Sequence, residues 1–421
     1  MRDIHELIDR RAVTPVFQPL VDLATGGVVG YEALARGPAG TAWESPAALF
    51  GAAREVGREA ELDWVCRAVA FRAVLRADLD PSLTWFVNME PAAWRAGCPD
   101  DLGPLVSEAR ERLRVVTEMT ERAIARDPSG LLAATASVRA AGWGVALDDV
   151  GADPASLALM PFVHPDVVKL DMGLLHRPDE PHTARVVAAV AAYAEASGAV
   201  VLAEGIETAA HLAVARTMGA TVGQGWYFGR PAPLPSRTPA RAELPFIEPP
   251  RRDDRTPFGV VGARRPVTRS TKELLMPMSR HLEALCGTGS QPPVLMACFQ
   301  DARHFTPATA VRFARIAAHS PLVAALGVGL DDEPAPGVRG ARLAPDDPLH
   351  GEWNVIVVGP HQAAALVARD VGDGGPDHER RFGFALTHDR TTVIEAARSL
   401  MRWVTPTAAG VREPAQLPGL V

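Results

Sequence analysis

Acidic and amide residues recur at the ends of short apolar runs in the first half of this chain. They are Glu32, Asn88, Glu118, the pair Asp148-Asp149, Glu204 with Glu207, and Gln224; Lys169 and Asp171 lie on one further run. A single carboxylate in such a place is an ordinary solvated acid. Acids at the ends of successive runs are a different matter, because gathered at one place they repel one another and oppose folding. A divalent cation relieves that repulsion, and hard ions such as Mg²⁺ take oxygen ligands, which Glu, Asp and the Asn amide supply. Two such ions close together activate a water and steady the charge of an in-line phosphoryl displacement. A neighbouring lysine positions the water or stabilises charge. The residue types therefore point to metal-assisted hydrolysis of a phosphate ester.

Such a cluster needs elements that bring the ends of many runs to one face. From about residue 14 to 230, strand-like runs alternate with longer helical patterns, which predicts a mainly parallel α/β fold. The strand candidates are VFQPLVDL, VVGYEALAR, TWFVNM, VVTEMT, GVALDDV, VVKLDM, VVLAEGIE and VGQGWYF. Their number is that of a closed (β/α)8 barrel of the TIM type, in which active sites sit where the strands end. The first two strands are separated only by ATGG, so a tight turn at Gly26-Gly27 makes them a hairpin and the first strand antiparallel. Ser45-Pro46 and Asp127-Pro128 read as helix starts, and Gly142, Gly198 and Gly219 as helix stops.

Residues 1–235 are thus expected to form the barrel and 236–270, rich in Pro, Arg and acids, an extended linker. Residues 271–405 are expected to form a smaller α/β domain, and 406–421 a loose tail. In the second domain, TKELLMPMSRHLEALC reads as a helix interrupted by Pro277. PVLMACFQ, LVAALGVGL and EWNVIVVG read as strands, and TPATAVRFARIAAHS and TTVIEAARSLMRWV as helices. Its histidines, His281, His304, His319, His350, His361, His378 and His388, show no short metal-ligand spacing and read as surface or packing residues. Trp353 and Trp403 read as core or interface anchors.

The bulk numbers set outer limits. The 421 residues are 47% hydrophobic, with a net charge of -7 and a pI near 6.0, and so lack the basic excess of a general nucleic-acid binder. Cys66, Cys98, Cys286 and Cys298 form no C-x-x-C pair and are expected to be reduced. The N-terminus has no apolar signal core, and the most apolar stretch, from Val186, is broken by Glu195, Ser197 and Gly198. It reads as a helix followed by a buried strand and not as a membrane span, so the chain is expected to be soluble and cytoplasmic.

GYEALARG, from Gly30, resembles the signature of EAL-domain cyclic di-GMP phosphodiesterases. FVNMEP, TEMTE, VALDDVG, VKLDM, VLAEGIET and GQGWYFGRP follow in that family's order and spacing, over about residues 10–235. The resemblance implies opening of cyclic di-GMP to linear pGpG with Mg²⁺ or Mn²⁺, in two ions. Glu32, Asn88, Glu118 and Asp148 would hold the first ion, and Asp148 and Asp149 the second. Lys169 would contact the attacking water and Glu204 fix its surroundings. Gln224 would line the site, Glu121 brace the loop after the fifth strand, and Glu207 support from behind. Gln18, Leu34, Arg36 and Asp171 would touch the dinucleotide, with the Arg36 fork suited to phosphate. Homodimerisation is a further expectation of the resemblance. After Asp149 the family's F-G-T-G-Y-S-S-L is replaced here by Val150-Gly151-Ala152-Asp153-Pro154-Ala155-Ser156-Leu157, a stiffer loop that bears on control of turnover. The rival expectation is a receptor that binds cyclic di-GMP without turnover. No segment resembling the opposing GGDEF synthase is visible. Strings between about residues 257 and 405, among them FQDARHFTPATAVRFARIA and DPLHGEWNVIVVGPH, resemble the DICT sensory domain, which implies an unidentified ligand or protein partner there.

Overall fold

The computed structural model describes residues 3–77, 79–120, 127–152, 156–237, 242–247, 254–287, 291–373 and 376–405. The chain divides into two compact units, Met1–Ala123 with Gly130–Arg252, and Asp253–Val421 with Ile124–Ser129.

The first unit is a closed eight-stranded barrel: β1 (Thr14–Asp22), β2 (Val28–Arg36), β3 (Thr84–Asn88), β4 (Arg114–Thr120), β5 (Gly144–Val150), β6 (Val167–Leu170), β7 (Val200–Ala203) and β8 (Val222–Gly223). Strands β2 to β8 run parallel, while β1 pairs antiparallel with both β2 and β8. The reversal follows from the hairpin. Asp22 Oδ1 accepts from the N–H of Ala24 and Thr25 at 3.1 and 2.7 Å, and Gly26 takes the left-handed conformation that closes the turn. The helix starts fall where Ser and Pro predict. Ser45 caps Pro46–Glu55 through Ala48 N–H, and Pro128 opens Pro128–Ala140. Gly198 ends Pro181–Ser197 with φ +80°, as a left-handed C-terminal glycine does.

One end of the barrel is closed by apolar side chains. Leu20, Val29, Phe86, Val116, Ala146, Val167 and Leu202 pack together there with Leu244. Leu244 belongs to the segment expected to be linker. Residues 242–247 are held under the barrel by Ala242 N–H to the Val28 carbonyl (3.1 Å), by Ile247 N–H to Asp166 Oδ1 (3.0 Å) and by the Arg114 guanidinium over the Phe246 ring. With that end sealed, the polar residues at the other ends of the strands face a single opening.

The second unit is a seven-stranded sheet in the order β12-β11-β10-β13-β14-β15-β9. Its strands are β9 (Thr268–Thr271), β10 (Val294–Asp301), β11 (Val323–Val328), β12 (Arg342–Leu343), β13 (Glu352–Val358), β14 (Ala363–Asp370) and β15 (Arg381–Thr387). Helices Lys272–Ala284 and Pro307–Ala317 cover one face through Leu282 and Phe313, against Leu295, Val323, Val355 and Leu366. The alternate residues Met296, Cys298, Ile356 and Val367 are equally buried, so the other face is covered too, by Arg390–Met401 and Pro257–Gly262.

Three expectations need correction here. Lys272–Ala284 runs unbroken through Pro277, because Pro277 lies on the exposed side, where water can satisfy the carbonyl it leaves free. Pro257–Gly262 and β9 fall in the stretch expected to be linker. The helix is anchored by the wholly buried Glu352, which accepts from Phe258 N–H (3.1 Å), Asn354 Nδ2 (2.9 Å), Arg369 (2.8 Å) and the Thr256 hydroxyl. Trp353 is buried as expected, but Trp403 remains 39% exposed. The proposed tail, 406–421, lies outside the described residues. All four cysteines are free thiols, and among the described residues no helix is long and apolar enough to cross a membrane.

Candidate active site

Lys169 stands at the centre of the open end, 1% exposed, near the end of β6. Its Nζ lies 2.7 Å from Glu118 Oε1, 2.7 Å from Glu204 Oε1, 2.9 Å from Asp148 Oδ1 and 3.9 Å from Glu32 Oε1. Four strands therefore bring four carboxylates around one ammonium. Glu32 does not end its strand as the apolar run implied: β2 continues to Arg36, although its ladder with β3 stops at Ala33. Gln18, directly opposite Glu32 in the β1–β2 register, links to it through Gln224. Gln224 Nε2 donates to Glu32 Oε2 at 2.5 Å and to Gln18 Oε1 at 3.1 Å, and Gln18 Nε2 donates to the Gly229 carbonyl at 3.1 Å. Gln224 is itself fixed through Gly225, where a Cβ would fall 2.1 Å from the Ile206 carbonyl oxygen.

Consecutive residues of a regular strand point to opposite faces, so Asp148 and Asp149 should not act together. A bulge removes the difficulty. The β5–β6 register shifts between Leu147 and Val150, and Asp149 adopts φ +57° with its N–H on Asp148 Oδ1 at 3.0 Å. As a result Asp148, Asp149 and Glu204 each present an oxygen within 4.8 Å of the others. Asp tolerates the left-handed region better than most residues do, which is one reason an acid suits that corner.

The electrostatics show a site short of positive charge. Burial, then Glu32, drives the Glu118 carboxyl well above the usual range despite Lys169. Burial likewise pushes Glu204 up to about 8. Burial works against the Lys169 ammonium, but Glu118, Glu204, Glu32 and Asp148 outweigh it and hold its pKa well above that of an ordinary lysine. Glu118 Oε2 is buried with no hydrogen-bond partner among the described residues. An orphaned carboxylate oxygen beside a group of three acids is a donor set that fits a hard divalent cation.

The remaining residues singled out from the sequence are spread around this centre. Asn88 ends β3 beside Glu118 and is exposed. Leu34 borders an adjoining cavity of 340 Å³ that also reaches Asn88 and Glu118. Arg36 is half-buried, its Nη1 on the Ala35 carbonyl at 2.8 Å. Asp171 lies just past β6, and its Oδ1 accepts from Gly173 N–H at 2.8 Å as the cap of Met172–His176. Glu207 is exposed. Glu121, and Asp153 to Ala155 of the altered loop, lie outside the described residues.

One pair escaped the sequence reading. Asp63 and Arg67, four residues apart on helix Glu59–Ala77, form a buried ion pair of 2.5 Å, and Arg67 Nη1 donates to the Asn88 main-chain carbonyl at 3.3 Å. The signal was two opposite charges at i,i+4 on a helix whose neighbouring positions are apolar.

Residues 1–231 match the family described as the EAL domain, and residues 261–370 match DICT, described as a sensory domain in diguanylate cyclases and two-component systems. An uncharacterized protein of Azorhizobium caulinodans is 30% identical over 246 residues, 55% of this chain and 33% of that protein. The probable cyclic di-GMP phosphodiesterase PdeB of Escherichia coli is 28% identical over 236 residues, 55% of this chain and 45% of PdeB. This chain thus spans less than half the length of either relative. The cyclic di-GMP phosphodiesterase RocR of Pseudomonas aeruginosa is 27% identical over 237 residues, 55% of this chain and 60% of RocR. Among solved structures, the MucR phosphodiesterase in its cyclic di-GMP complex is 25% identical, covers 55% of this chain and 96% of that one, and superposes with a TM-score of 0.48.

Proposed function

The chain belongs to the EAL-domain family, and from that premise we propose that it hydrolyses cyclic di-GMP to linear pGpG with divalent cations held at the barrel mouth. The observation that carries this reading is the convergence of Glu32, Glu118, Asp148 and Glu204 on the buried Lys169. The names of PdeB and RocR support the choice of substrate.

Glu32, Asn88, Glu118 and Asp148 would hold one Mg²⁺ or Mn²⁺, and Asp148 with Asp149 a second. Cations so held supply Lewis acidity toward the phosphodiester and a water of lowered pKa. The chain's own residues do the rest. Lys169, with its Nζ 2.7 Å from Glu118 and Glu204 and 2.9 Å from Asp148, is placed to donate a hydrogen bond to the attacking water or a phosphate oxygen. Glu204 fixes the Lys169 ammonium, and the Gln18–Gln224–Glu32 chain fixes the Glu32 carboxylate. Arg67 steadies Asn88 through its main chain. Arg36 and Leu34, with Gln18 and Asp171, border the dinucleotide; Glu207 supports the loop after β7. Water oxygen bonds to phosphorus as the bond to the ribose 3′ oxygen breaks. The leaving oxygen takes a proton and the phosphate stays on the 5′ side, as in pGpG.

The test is incubation of the purified chain with cyclic di-GMP and Mg²⁺ or Mn²⁺, with Glu32→Ala run beside it. Formation of pGpG by the wild type alone is the expected result. Saturable binding with no product would make the protein a receptor, the reading that the altered loop after Asp149 favours. We propose further that the DICT-like unit controls this activity. A chain ending at residue 256 keeps the 242–247 segment under the barrel, so it should fold and turn over at a changed rate. Identical kinetics in the full and shortened chains would argue against control.

A further inference from the structure

The C-terminal unit has an open cavity of 650 Å³ between helices Lys272–Ala284 and Pro307–Ala317 and one end of the sheet. That volume lies within the range of small-molecule sites, about 300–1,000 Å³. We infer that this cavity binds a small organic anion made of an aromatic ring system and one acidic group.

The ring is argued from the wall. Trp353 and Phe382 meet edge to face, with centroids 5.6 Å apart at 74°, and Phe299 and Met276 complete the apolar lining. Trp353 and Phe299, 7% and 8% exposed, present the ring surface on which a further ring would pack, while Phe382, 1% exposed, only backs them. The acid is argued from charge. Lys272, Arg280, Arg303 and Arg312 line the cavity against Glu273, Glu283 and Asp377. Two of those acids are already engaged: Glu283 receives Arg312 Nε at 2.6 Å, and Asp377 takes Lys272 and, at 3.3 Å, Arg380. The nearest carboxylate to Arg303 is that of Asp301, at 4.0 Å, and Arg280 has no ion partner among the described residues. Arg280 is therefore left for a ligand, and Arg303, whose Nε donates to His304 Nε2 at 3.4 Å, keeps its terminal nitrogens for one; planar guanidinium forks suit a carboxylate or a phosphate. A cation would find no comparable set of uncommitted acids.

The backbone supports the assignment. Gln300, on the cavity wall, holds φ +64° at a register shift in β10, and Arg380 Nη2 donates to its side-chain oxygen at 3.1 Å. Neither glycine nor asparagine, it occupies a region that such a residue adopts only when its surroundings impose it, and conformations of this kind cluster at ligand sites. His304 and His378, which read from the sequence as surface or packing residues, line the same cavity.

The inference does not depend on the catalytic reading, since it is tested by affinity alone. The full chain, with chelator present so that the barrel binds no metal, is titrated calorimetrically with 1-naphthyl phosphate, 1-naphthoate, 1-naphthol and inorganic phosphate. One naphthyl acid should bind at one site per chain, and which of the two does so identifies phosphate or carboxylate as the acidic group. Naphthol and inorganic phosphate should each bind at least tenfold more weakly. Ala308→Trp places a ring in the cavity from an exposed helix position, and Arg280→Gln with Arg303→Gln removes two of its guanidinium groups; each should weaken binding at least tenfold in a chain that melts like the wild type. Equal binding of naphthol, equal binding of inorganic phosphate, undiminished binding by Ala308→Trp, or no binding of either naphthyl acid at millimolar concentration would each overturn the inference.

Discussion

The barrel mouth and the C-terminal cavity are mirror images in charge. At the mouth four carboxylates share one lysine, and the excess is negative. In the cavity four cations face three acids, two of them already paired, and the excess is positive. The mouth is also the deeper: Lys169 is 1% exposed, whereas the Arg303 side chain is 72% exposed. Unbalanced charge costs more where water is excluded. The contrast teaches that the sign and depth of an imbalance point to the ligand that would relieve it, a hard cation at the mouth and an organic anion in the cavity.

The sharpest way to break this comparison is to remove the charge at the centre of the mouth. Lys169→Met should lower cyclic di-GMP hydrolysis by roughly 10²–10³-fold, the effect typical of losing one preorganised donor. Product formation at saturating substrate measures it, and Arg312→Gln in the cavity should leave the metal-saturated rate of the barrel within an order of magnitude. A rate that survives in Lys169→Met would remove the ammonium from the chemistry.

The next largest effect concerns a pair beside the mouth. Arg67→Met strips the buried Asp63 of its partner and the Asn88 carbonyl of a donor. Breaking a buried pair on one side costs on the order of 3–5 kcal/mol. Thermal melting should show a lower barrel transition, and the double change Asp63→Leu with Arg67→Met should recover part of the loss. A single mutant as stable as the wild type would show that the pair is not integral to the barrel.

How much of this could be read in advance depends on what each residue needs. The positions of Glu118, Asp148, Lys169 and Glu204 were legible, because each lies on or at the end of a short apolar run and parallel strands bring their ends together. That Asp148 and Asp149 present oxygens to one place was implied by the family resemblance alone, since it requires a bulge that no alternation of apolar and polar residues reveals. The Asp63–Arg67 pair was hidden in a long helix that reads as ordinary packing. In the second unit, β14 went unread because AAALVARD is as compatible with a helix as with a strand. The cavity was invisible because its lining comes from two helices, three strands and a loop that only the sheet order unites.

Metal binding gives the third test. At one hundred times its dissociation constant, Mn²⁺ should stabilise the folded barrel by about 2.7 kcal/mol. Chelator should reverse the shift in melting temperature. Glu118→Gln removes the carboxylate with the orphaned oxygen and should blunt the gain, while Ala308→Trp in the cavity should leave it intact. A Mn²⁺ shift that persists in Glu118→Gln would place the cation elsewhere.

The smallest effect is a difference in the sign of pH dependence. The mouth acids Glu118 and Glu204 are pushed up by burial, whereas Asp370 and Asp377 of the second unit are held down. For Asp370, burial works upward, but the Gly372 N–H at 2.9 Å and the Arg380 guanidinium outweigh it and keep the carboxyl below its usual range. For Asp377, burial is likewise outweighed, by Lys272 and then Arg380. A depressed folded pKa means that the unfolded chain binds more protons. The stabilisation from these two acids is therefore complete above the unfolded value, near 3.8, and is lost as pH falls through the lower folded values. Amide-exchange protection of β14 and β15, corrected for intrinsic rates, should hold steady from pH 7 to 5 and fall below about pH 4. Arg380→Gln should reduce protection at pH 7 and flatten the fall, because both acids lose their shared cation. If protection in the wild type instead began to fall well above pH 5, Asp370 and Asp377 would not be the groups in control.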